Sequence, residues 1–193
     1  CQSKDINDDT TTIFTINLRE LNKSKNVFSH SSKDVAAFKI GNVETQENGK
    51  NYTCDPIAGV VLKQTGKTGP ISVARDTPSF IDEVLVANDV YLYGYPLSLG
   101  LKNSPQFDYN KPLLRKGIIA SVNKKQGTII LDCPVYYGNS GGPVVQDTRE
   151  KSGTKHSVIG VVSQFIPYAE NWVNQSNKIV HTEISNSGYS VAV

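Results

Sequence analysis

Gly138-Asn139-Ser140-Gly141-Gly142-Pro143-Val144-Val145 is the stretch whose reading decides the fold. Glycines on both sides of a serine admit backbone dihedrals barred to other residues, so a tight turn can push the hydroxyl outward. The same turn can aim the amide N–H groups of Gly138 and Ser140 at one point, which suits a developing oxyanion. Thr128-Ile129-Ile130-Leu131 lies ahead of it and Pro143-Val144-Val145 behind it, and both read as strand. The serine therefore sits between two strands. The letters also fit Gly-x-Ser-x-Gly, in which the serine caps a strand and opens a helix. A second glycine, a proline and two β-branched valines start a helix poorly, so the strand–turn–strand reading is preferred. A glycine-rich turn with an incidental serine is the bland alternative.

Outward from this turn, short apolar segments alternate with Gly, Asn, Asp and Pro, the pattern of an all-β barrel or sandwich. Strands are expected at 13–18, 35–40, 59–63, 90–94, 117–122, 128–131, 144–146, 158–163, 178–181 and 188–193. Lys124-Lys125-Gln126-Gly127 reads as a hairpin turn between two of them. Short helices are expected at 77–84, with Thr77 as cap and Pro78 in the first position, and at 168–175 around Trp172. Residues 42–75 carry most of the linker chemistry, including Asn48-Gly49 and Gly69-Pro70.

Gly138 to Val145 resembles the serine loop of chymotrypsin-like serine proteases, in the asparagine-containing form of bacterial trypsin-like and HtrA-type enzymes. Other stretches agree in the same order. Lys33-Asp34-Val35-Ala36-Ala37-Phe38 resembles the strand that carries the triad aspartate, and Asp89 to Pro96 resembles the first strand of the second barrel. Arg115 to Ser121 resembles the strand after it, Val158 to Ser163 the strand lining the substrate cleft, and Gly188 to Val193 the closing strand. The resemblance implies two six-stranded Greek-key barrels. Residues 1–85 would form a partial first barrel plus linker, and residues 86–193 a second barrel carrying the serine. It implies a serine endopeptidase, with a catalytically inactive, peptide-binding member of the same fold as the alternative.

In this family the catalytic histidine lies upstream of the aspartate. His30 precedes Asp34 by only four residues, at a spot where family members have a surface loop, whereas His156 and His181 follow Ser140. The resemblance places the histidine a few residues before Cys1, so the first barrel is expected to be incomplete, with the chain a fragment of a longer one.

The chemistry implied is acyl transfer. Ser140 needs an adjacent base to take its proton, and Asp34 would orient that base. Gly138 and Ser140 would supply the oxyanion N–H groups. Asn139 stands where trypsin-like zymogens carry an aspartate that pairs with a newly cut N-terminus, and an amide cannot form that ion pair. Pro134-Val135-Tyr136-Tyr137 takes the place of the family's pocket floor and offers no carboxylate for a substrate Lys or Arg. Tyr136 would narrow this pocket toward small or medium apolar side chains. Ser163 and Gln164, with Phe165, match the strand edge that binds peptide by added β-pairing.

Composition sets the bounds. The 193 residues are 38% hydrophobic and 20% charged, with mean hydropathy −0.32, as in a globular chain. No apolar run approaches the roughly 18 residues that cross a bilayer as a helix. A net charge of +2 is too mild to imply nucleic acid, and Arg115-Lys116 and Lys124-Lys125 read as solvated strand ends. Cys1, Cys54 and Cys133 show no metal-ligand spacing and, being odd in number, describe no disulfide framework. Neither metal nor cofactor is called for, the expected partner is a polypeptide substrate, and these residues carry no signal for an oligomeric state.

Overall fold

The computed structural model describes residues 11–45, 52–65, 77–96, 104–107, 111–151 and 153–193. They fall into two compact units, Cys1–Val73 and Ala74–Val193. The chain is mostly β, in keeping with the all-β expectation.

In the first unit the described strands form three separate two-stranded antiparallel sheets: β1 (Thr11–Ile16) with β6 (Val60–Thr65), β2 (Val27–Ser29) with β3 (Ala36–Phe38), and β4 (Gly41–Thr45) with β5 (Tyr52–Pro56). A short helix, α1 (Leu18–Lys23), follows β1 directly. Asn17 starts it, its Oδ1 accepting the Glu20 N–H at 3.2 Å, which satisfies one donor of the first turn. Leu21 is fully buried beneath it, whereas Ile13, Phe28, Phe38 and Val61 are exposed. The segment expected to be a linker thus contains β4, β5 and β6, while residues 46–51 and 66–76 lie outside the described ones. The Val43-Glu44-Thr45 run pairs with β5 and the Val60-Val61-Leu62 run with β1 as strands, while Asn48-Gly49 and Gly69-Pro70 lie outside the described residues.

The second unit is a closed six-stranded barrel in the order β10-β11-β12-β9-β8-β7. Its strands are β7 (Asp89–Gly94), β8 (Leu113–Asn123), β9 (Thr128–Asp132), β10 (Pro143–Glu150), β11 (Gly153–Val173) and β12 (Ile179–Ala192). Alternate residues point inward, which is why Val90 and Leu92 of β7 and Ile129 and Leu131 of β9 are buried while their neighbours are not. Ile119, Val144, Ile159, Val162 and Ala192 complete the core with Cys133, a free thiol. Burial pushes the Cys133 thiol up, and the charge of Arg115 partly opposes that rise.

Two short helices expected from the sequence are absent. Residues 168–173 belong to β11, paired from Tyr168↔Ser185 to Trp172↔His181 with β12 in a hairpin that runs on past the barrel strands. Val173 stands opposite Ile179, Trp172 opposite His181 and Ala169 opposite Ile184, and the aromatic and β-branched content of the two arms favours cross-strand pairing over a helix. At 77–84 only the 3-10 turn Ile81–Glu83 forms. Pro78 bridges Val158 in parallel, the Val158 N–H donating to Thr77 O at 3.1 Å and the Ser79 N–H to Val158 O at 2.9 Å. That pairing holds the segment extended and attaches it to the second unit. Buried Gln146 then fixes the turn, its Oε1 accepting the Leu85 N–H at 2.9 Å and its Nε2 donating to Glu83 O at 3.3 Å.

Leu92 is fully buried at the centre of β7, between Val144 on β10 and Arg115 on β8. Leu92→Ala is expected to lower unfolding stability by about 2–5 kcal/mol through lost transfer energy and the cavity left behind. A denaturant titration checks this. A loss below about 1 kcal/mol would mean that the barrel interior is not packed as described.

Candidate active site

The loop at 138–142 is shaped by two residues with positive φ, Gly138 at 96° and Gly141 at 81°. Side chains with a Cβ adopt such angles only at a cost, so the glycines are what allow the chain to double back around Asn139 and Ser140. Asn139 is 1% exposed and clasps the chain before it. Its Oδ1 accepts the Tyr136 N–H at 2.9 Å, and its own N–H donates to Tyr136 O at 2.9 Å. Its Nδ2 packs against Gly94 of β7, where a Cβ would collide with it.

The far side of the loop is bonded to β11. Gly141 N–H donates to Val162 O at 2.8 Å, and Val162 N–H donates to Gly142 O at 2.9 Å. Gly142 N–H donates to Asn139 O at 3.0 Å. The N–H groups of residues 139, 141 and 142 are therefore used inside the fold. Those of Gly138 and Ser140 meet no acceptor among the described residues. Two donors left over at the ends of a braced turn can hold an anionic oxygen.

Ser140 itself is exposed, and its Oγ donates to the backbone carbonyl of Ser163 on β11 at 3.2 Å. Gln164, next on that strand, is exposed. Tyr137, 73% exposed, meets Phe165 edge-to-face with ring centroids 5.9 Å apart. Asn186 of β12 donates from Nδ2 to Val135 O at 2.6 Å, and Ser190 from Oγ to Cys133 O at 2.9 Å. The segment before the serine is thus tied to β12 and the serine to β11. Ser140, Ser163, Tyr136 and Gly138 come together, with Gln164 one residue along the strand.

The structure adds Arg115, which the sequence reading passed over as a strand-end charge. Its guanidinium carbon lies 4.7 Å from the centroid of the Tyr136 ring. Its alternation with buried Ile119 on β8 is the signal that places it inward.

Asp34 lies in the first unit, exposed in the bend between β2 and β3. His30 stands at the other side of the same bend, its Nδ1 accepting the N–H groups of Ser32 and Lys33, each at 3.2 Å. A triad base donates Nδ1–H to its carboxylate, so His30 is not held in that role here. His156 pairs through Nδ1 with Asp147 across β10 and β11. It sits seven residues before Ser163 on β11, about 20 Å along the strand at the usual rise per residue. His181 stands opposite Trp172 on the projecting hairpin, nine residues beyond Ser163 on the β11 side. Neither is placed beside Ser140.

A family model described as a trypsin-like peptidase domain matches residues 14–153, which spans both the Asp34 bend and the Ser140 loop. The chain belongs to the trypsin-like peptidase domain family. No curated protein and no solved structure matches it. Within this family fold, no helix among the described residues is long and apolar enough to cross a membrane. No group of three or more His, Cys, Asp or Glu that could hold a metal ion occurs among them either.

Asn139→Ala removes the acceptor for the partly buried Tyr136 N–H in this trypsin-like peptidase domain. A donor left without its acceptor costs about 1–3 kcal/mol, so the thermal midpoint should fall. Calorimetry checks this. An unchanged midpoint would mean that the loop is not braced by this amide.

Proposed function

We propose that this trypsin-like peptidase domain is a serine endopeptidase with Ser140 as its nucleophile. The observation that carries the reading is the pairing of an exposed Ser140 hydroxyl with two unspent N–H groups on one braced turn. A peptide carbonyl seated there would be attacked by Ser140 Oγ, while its oxygen collects negative charge between the Gly138 and Ser140 N–H groups. A histidine oriented by Asp34 takes the hydroxyl proton and returns it to the leaving amine, and water then hydrolyses the acyl-enzyme. The side of β11 at Ser163 and Gln164 that does not pair with β12 receives the substrate backbone as an added strand. Arg115 beside Tyr136 and the lack of a carboxylate in residues 134–137 disfavour substrates that present Lys or Arg to this region.

A second reading has an observation of its own. His156 and His181 lie away from Ser140, and Nδ1 of His30 is occupied by two N–H donors. A domain that binds peptides at the same strand edge without cleaving them is consistent with that placement. Fluorophosphonate labelling separates the two. The peptidase reading expects labelling at Ser140 and peptide turnover, both abolished by Ser140→Ala. Asp34→Ala should cut turnover by about 10³-fold or more, because a base without its orienting carboxylate loses tautomer and position. Absence of labelling in the folded intact protein, with peptide still bound, would leave the binding reading. Full turnover in the Ser140→Ala variant would end the serine-protease reading.

A further inference from the structure

Arg115 is the cation in the second unit whose placement calls for a partner. On β8 it sits directly opposite Leu92, so the two share a face of the sheet, and Leu92 is fully buried. The same face of β8 carries Ile119, also fully buried, while Leu114 and Ile118 on the other face are 54% and 40% exposed. Arg115 therefore projects to the core side at the end of the barrel near the serine loop and is half-buried there. Its influence on the buried Cys133 thiol agrees with that position.

Its neighbour shows what is missing. Lys116, on the outward face, donates to Asp89 at 2.8 Å. Arg115 makes no ion pair with any carboxylate among the described residues and instead lies over the Tyr136 ring. A cation partly withdrawn from water and left without an anion costs free energy, and an aromatic face offsets only part of that cost. The ring it lies over is not a remote one. The Tyr136 N–H is bonded to Asn139, the residue just before Ser140, and the carbonyl of Val135 is held by Asn186. The planar five-donor guanidinium suits a carboxylate, which it can bind through two parallel hydrogen bonds.

We infer that Arg115 is a specificity-determining residue that receives an acidic side chain of the polypeptide, glutamate or aspartate, beside Tyr136 when the chain is bound at Ser140. The inference rests on the serine-endopeptidase reading for which substrate residue enters this space. It replaces the small apolar preference that the residues before the serine suggested with an acidic one, Arg115 supplying the charge beside Tyr136.

The test uses binding, so that it does not depend on turnover. The full chain carrying Ser140→Ala is titrated by calorimetry with two acetylated hexapeptides that are identical except for a C-terminal Glu or Gln. The Glu peptide should bind at least about tenfold more tightly, as a charge-assisted pair outweighs a neutral one. Arg115→Gln in the same background should bring the two peptides to parity. Arg115→Lys, which keeps the charge without the fork, should retain a smaller preference for Glu. Equal affinity of the two peptides, binding of neither, or loss of the preference in Arg115→Lys as complete as in Arg115→Gln would overturn the assignment. Fluorophosphonate labelling and turnover of the chain with Ser140 intact report on the peptidase reading separately. Turnover without a Glu preference sinks the role of Arg115 alone, and a Glu preference in binding without labelling sinks the peptidase reading alone.

Discussion

Burial of the Asn139 amide is the constraint on which the site depends. A side-chain amide with 1% exposure must find partners, and it finds them in the Tyr136 N–H and in the surface offered by Gly94. Once those are made, the chain on either side has no slack, and Gly138 and Gly141 absorb the reversal with positive φ. What remains unbonded is then decided by elimination. The N–H groups of 139, 141 and 142 are taken up by Tyr136, Val162 and Asn139, and those of Gly138 and Ser140 find no acceptor among the described residues. The site is thus a by-product of satisfying a buried polar group, and it needs the closed barrel. β7 supplies Gly94, β11 supplies Val162, and both reach the loop only because β10 pairs with each of them.

The barrel treats its other inward polar groups in the same way, which gives Arg115 its weight. Gln146 is 2% exposed and spends its amide on Leu85 N–H, Glu83 O and Thr148 Oγ1. Ser190 is fully buried and donates to Cys133 O. Among the described residues no buried side-chain nitrogen or oxygen lacks a hydrogen-bond partner. Against that economy, a half-buried guanidinium with a ring for company and no carboxylate is the exception. Exceptions of this kind persist where a ligand completes them, because a charge held away from water has more to gain from an incoming opposite charge than an exposed one has.

Much of the second unit was legible in its sequence, for a reason that also explains the failures. Val90-Tyr91-Leu92 and Thr128-Ile129-Ile130-Leu131 alternate in burial with the pleat, so the strands announce themselves by period. The serine loop is legible because three glycines and a proline around Asn139 and Ser140 leave few backbone paths. One arm of the projecting β11–β12 hairpin, residues 168–175, reads as helix because it lies beyond the core and lacks the alternation that burial imposes, whereas the other arm reads as strand at 178–181. Its shape comes from cross-strand partners, and local propensity does not report them. The same holds for β4 and β5, whose Asn, Gly and Thr content reads as linker until each is placed opposite the other. Arg115 was missed because a charge next to Lys116 looks solvated, and only the register with Leu92 shows which way it turns.

The histidines show why a constellation has to be judged by geometry. Asp147 and His156 are already paired through Nδ1, the contact by which a triad aspartate holds its base. By residue type alone they would complete Ser140. Yet β10 and β11 fix them opposite one another several residues down the ladder, while the bond that positions the Ser140 hydroxyl is to Ser163. A rigid barrel cannot bring the two together without breaking the ladder between them. The pair therefore acts as a cross-strand tie, with Asp147 mostly buried and His156 capping it toward water. The exposed Ser140 hydroxyl instead rests on the main-chain carbonyl of Ser163 at 3.2 Å, a contact that fixes its rotamer on β11, away from the Asp147–His156 tie.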